Sequence, residues 1–76
     1  MLEGLLWFDS DPNRNIVDKI NQAAQHYRQK LAQMPTVCYV NIQDFDENCS
    51  EINGIMLKPK SNILRHHYLV GVEQNN

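Results

Sequence analysis

What this 76-residue chain lacks narrows its options first. It has no basic excess: seven Lys and Arg stand against nine Asp and Glu, for a net charge of −2. A protein that lives on nucleic acid or on an anionic membrane usually carries a clear positive surplus. Cysteine is scarce, and Cys38 and Cys49 are too few and too far apart for a disulfide scaffold or a CxxC motif. They read as reduced thiols, which points to a cytoplasmic protein. Three glycines cannot build a phosphate loop or a dinucleotide fingerprint, and no nucleophile elbow occurs. No stretch approaches the roughly 20 apolar residues of a membrane span. The N-terminal apolar run stops at Phe8 and has no basic region before it, so it is not a secretory signal.

What remains is globular composition, with 42% apolar and 21% charged residues, and room for one domain spanning 1–76. Residues 2–8 read as a strand that is apolar on both faces, with Leu2, Leu6 and Phe8 on one and Leu5 and Trp7 on the other. A helix is predicted from Pro12 to about Gln33, with Asp11 as its N-cap and Pro12 at its first position. Ile16, Ile20, Ala23, Ala24, Tyr27 and Leu31 recur at helical spacing in one stripe, and Pro35 forbids continuation. Thr36–Ile42 reads as a second strand. Asn53-Gly54 is a strong turn signal, because both central positions of a type I′ turn require φ > 0. It leads into Ile55–Lys58, and His66–Glu73 forms the last strand before a frayed tail at 74–76. The expected fold is α+β: one amphipathic helix packed on a small, mostly antiparallel sheet. The order is β-α-β-β-β, with room for an extra short strand at Ser50–Ile52.

Few residues suggest chemistry. Asp9 and Asp11 form a D-x-D pair at a strand end, where two carboxylates could hold Mg²⁺ for phosphoryl chemistry. No further acid, Lys or Ser/Thr accompanies them in a recognisable frame, and helix capping explains both. Asp44, Asp46 and Asn48 match the first positions of a calcium loop, but Cys49 and Ile55 stand where that loop needs Gly and a bidentate Glu. His66 and His67 are adjacent on a strand and point to opposite faces, so they cannot readily chelate one ion together, and His26 projects off the apolar stripe. Cysteine catalysis needs a thiol activated by a neighbouring imidazole, whereas Cys38 sits inside an apolar strand and Cys49 in an acidic loop. No cofactor and no metal site is expected. Lys58, Lys60, Arg65, His66 and His67 cluster within ten residues and could grip phosphates. The same lysines equally suit the guarding of an edge strand.

Leu6-Trp7-Phe8-Asp9, Ala24–Lys30, Pro35–Asn41 and His66–Glu73 together resemble the pattern of a group of small uncharacterised bacterial proteins. The resemblance spans nearly the full length. It implies a complete small domain, and it implies no activity and no site. One helix can shield only one face of a sheet. The expectation is therefore a small non-enzymatic protein-interaction or regulatory module, a homodimer or other homo-oligomer, or the small partner of a larger protein. Leu5, Trp7, Tyr39 and Tyr68 are its candidate interface residues. The rivals are a nucleic-acid-associated protein using the basic 58–67 edge and a metal-dependent phosphoesterase using Asp9 and Asp11.

Overall fold

A computed structural model describes residues 3–73, so Leu2 and the tail at 74–76 lie outside the described residues. The strands are β1 (Glu3–Phe8), β2 (Val37–Val40), β3 (Glu51–Ile52), β4 (Ile55–Pro59) and β5 (His67–Val72). One helix, α1 (Ile16–Leu31), and a 3₁₀ turn at Ile42–Asp44 complete the described elements. The α+β class stands, with a correction to the order. The short strand β3 is present, and the chain runs β-α-β-β-β-β.

The spatial order is β1-β5-β2-β4-β3. β5 pairs antiparallel with both β1 and β2, β3 pairs antiparallel with β4, and only β2 and β4 run parallel. The last strand thus slots between the first two, and its Tyr68 and Val70 are buried. The β3–β4 hairpin closes at Asn53-Gly54, both at positive φ (51° and 83°), as the turn type requires.

The helix begins later than the sequence suggests. Asn15 is its N-cap, with a side chain that accepts from the Asp18 backbone N–H at 2.9 Å. Asp11 instead accepts from the Asn13 backbone N–H, closing a tight turn that keeps Pro12 outside the helix. Ile20, Ala23, Ala24 and Tyr27 pack on Cys38, Val40, Leu57, Tyr68 and Val70, with Leu5, Trp7, Ile16 and Val72 around them. Leu31, at the end of the predicted stripe, is exposed.

Candidate interaction surface

Strand alternation assigns each side chain to a face. The helix covers the face carrying Leu5, Trp7, Cys38, Val40, Leu57, Tyr68 and Val70. The helix does not cover the opposite face, where Leu6, Phe8 and Met56 are exposed while Val37 and Gly71 between them are buried. Across β1, β5, β2 and β4 its rows run Gly4–Gly71–Val37–Met56 and Leu6–Leu69–Tyr39–Lys58, with Phe8 beside His67 at the end of β1. Leu6 is 56% exposed, Phe8 58% and Met56 45%. For a domain this small, three large apolar side chains on one sheet face are the feature that calls for explanation.

Of the four interface residues expected from the sequence, three share the covered face. Leu5 and Trp7 line the core and Tyr68 is buried in it; only Tyr39 lies on the open face. Trp7 stacks on His26 with ring centroids 4.3 Å apart, which places His26 against the core edge rather than off the packed side of the helix. The Trp7 indole N–H is buried without an acceptor among the described residues. Sequence alone left Leu6 and Phe8 as the alternative pair, because nothing local says which face of a doubly apolar strand the helix takes.

A polar cluster shares this face. Lys58 Nζ lies 2.8 Å from Glu73 Oε2, the Tyr39 hydroxyl donates to Glu73 Oε1 at 3.2 Å, and Lys60 Nζ sits 4.8 Å from the centre of the Tyr39 ring. The hydrogen bond from Lys58 lowers the Glu73 pKa, and the same bond raises that of Lys58. Desolvation, then the Glu73 charge, raises Tyr39. The five basic residues singled out in the sequence do not form one surface. Lys58 is matched by Glu73, whereas Arg65 Nε pairs with Asp44 Oδ1 at 2.8 Å in a separate loop. In that loop the His66 backbone N–H donates to Asp44 Oδ2, while His67 lies on the open face with its ring 4.9 Å from that of Phe8.

Asp9 and Asp11 are engaged locally. Asp9 Oδ1 accepts from the Asp11 backbone N–H and Oδ2 pairs with Arg14 at 3.1 Å. Asp46 likewise accepts from the Asn48 backbone N–H. Among the described residues, no group of three or more His, Cys, Asp or Glu is arranged to hold a metal ion. No described helix is long and apolar enough to cross a membrane. The hollow beside α1, lined by Arg14, Asp18, Asn21, Gln22 and Gln25, is open to solvent. No family model, no characterised protein and no solved structure matches this chain.

Proposed function

We propose that this chain is a small interaction module that performs no chemistry of its own and works by self-association through the open face of its sheet. The observation that carries this reading is the exposure of Leu6, Phe8 and Met56 on the face the helix does not cover. Burying one such side chain contributes about 1.5–3 kcal/mol, a large increment for a core that supplies only about 3–5 kcal/mol. The face mixes apolar and polar groups as protein interfaces do, with Leu6 and Phe8 on β1, Met56 on β4, and Tyr39 between them bonded to Glu73, which also pairs with Lys58.

Sedimentation velocity from about 10 μM to about 1 mM, concentrations that report association free energies near 4–7 kcal/mol, tests the reading. A mass that rises with concentration is expected. Phe8→Asp, which changes an exposed side chain and leaves the core intact, should return the chain to monomer at every concentration. A wild-type chain that stays monomeric at the upper limit would defeat the proposal.

A further inference from the structure

The two edges of this sheet are treated differently. At the β3 edge the outer strand is only two residues long, it carries Glu51, and the neighbouring strand β4 ends at Pro59. Short strands, charges and proline are the usual means of keeping an edge from recruiting another strand. At the other edge β1 is six residues long, and from Gly4 to Phe8 it has no charge, no proline and no bulge.

The hydrogen-bond phase of β1 shows what that edge offers. The Asp9 backbone N–H donates to the His66 carbonyl at 3.0 Å, so Asp9 faces β5. Alternation then turns the backbone groups of Leu5 and Trp7 toward β5 and those of Gly4, Leu6 and Phe8 outward. Among the described residues no group bonds to these outward amides and carbonyls.

We infer that β1 is the dimerisation element, pairing antiparallel with β1 of a second copy about a two-fold axis at Leu6 and extending the five-stranded sheet across both chains. This rests on the self-association proposed above and seats it at the β1 edge, where Leu6 and Phe8 flank the ladder and Met56, three strands away on β4, takes no part. The outward phase of Gly4, Leu6 and Phe8 allows even residues to pair only with even residues, and a centre at Leu6 is the register that engages all of 4–8. Leu6 then meets Leu6 of the second copy, and Gly4 meets Phe8. An aromatic ring opposite a glycine fills the space that a strand glycine leaves empty. On the helix-covered side Leu5 meets Trp7. Residues 4–8 carry no charge and match themselves in shape about the two-fold axis; the flanking pair of this register sets Glu3 opposite Asp9, whose carboxylate is already held by Arg14 at 3.1 Å.

Area sets the strength. Five residues at about 3.3 Å each, in a sheet about 10 Å thick, offer an edge of roughly 170 Å². A standard interface takes about 800 Å² per partner, about a sixth of the 5000 Å² this chain exposes. The backbone ladder therefore fixes register, the half-exposed Leu6 and Phe8 add to it, and the contact stays well below a standard interface. The dimer is weak and forms at high concentration.

Amide exchange of the wild-type chain, read residue by residue at about 20 μM and about 1 mM alongside sedimentation, decides the matter. Edge pairing slows the Leu6 and Phe8 amides by about tenfold or more at the higher concentration. Those of Leu5 and Trp7, already bonded to β5, change far less. Association with Leu6 and Phe8 exchange unchanged would overturn the edge geometry and leave self-association standing. No association at about 1 mM would overturn both.

Discussion

Ala32, Asn53 and His66 are the described non-glycine residues at positive φ, and each stands where the chain leaves one element for the next. Asn53 is suited to its turn. His66, at 64°, is held there by its backbone N–H on Asp44 Oδ2 at 2.7 Å. Ala32 has no such help from its side chain. It ends the helix at φ 56°, ψ 30°, donating its backbone N–H to the Arg28 carbonyl at 2.9 Å. A left-handed conformation costs an L-residue with a Cβ roughly 1–2 kcal/mol, and glycine is the usual occupant of such a cap. Part of that saving is offset by the greater freedom of glycine in the unfolded chain. Ala32→Gly should therefore stabilise the domain by about 1 kcal/mol, read as a higher urea midpoint with an unchanged slope. A midpoint that stays put or falls would show that the cap does not hold Ala32 in this conformation.

At the scale of the element, the helix shows where local signals suffice and where they do not. The stripe from Ile16 to Tyr27 was legible, because burial on one side enforces the period of 3.6. The start was not. Asp11, Asn13 and Asn15 are all competent caps by residue type, and the choice depends on what their side chains do elsewhere. Asp9 and Asp11 spend theirs on consecutive tight turns after β1, which leaves the first helical position to follow Asn15. Sixteen residues make a rod of about 24 Å, close to the roughly 20 Å of a six-residue strand. A helix from 12 to 33 would overhang the sheet, and Leu31 is already exposed. Asn15→Ala should accordingly cost about 1 kcal/mol of stability and Asp11→Ala clearly less; urea unfolding of the two variants side by side checks the ranking, and the reverse order would contradict the cap assignment. Strand positions were legible for the same reason as the stripe, from alternation. The insertion of β5 between β1 and β2 was not, since no local pattern specifies a neighbour. The face of β1 that the helix takes follows from that insertion, and with it the identity of the exposed pair, Leu6 and Phe8.

For the molecule as a whole, a small core has little reserve, and the ionisable groups inside it include Cys38 and Tyr68. Burial pushes the Cys38 thiol from 9.0 up to about 12. Burial, with the charges of Asp44 and Asp9 adding to it, pushes the Tyr68 phenol from 10.0 up to about 12. Both native pKa values lie above the unfolded ones, so the native state keeps protons that the unfolded state releases. Stability from these groups is thus fully present below pH 9 and is lost as pH rises toward 12, Cys38 acting first and Tyr68 joining above pH 10. For Cys38 the loss is about 1.4 kcal/mol for each pH unit above 9. Against about 3–5 kcal/mol of total stability, cooperative alkaline unfolding follows near pH 11–12. The Lys58–Glu73 pair acts in the same direction at this end, since a raised Lys58 pKa gives stability that is lost as pH climbs past the ordinary lysine value of 10.5. The lowered Glu73 pKa gives the opposite limb, lost as pH falls below 4.5. Cys38→Ala separates the contributions. It lowers stability at pH 8 through the cavity it leaves, yet its free energy of unfolding should stay nearly flat between pH 9 and 10, where the wild type falls steeply. Equal slopes in the two proteins would show that the Cys38 thiol ionises as freely in the native state as in the unfolded one, and that the centre of this sheet is open to water.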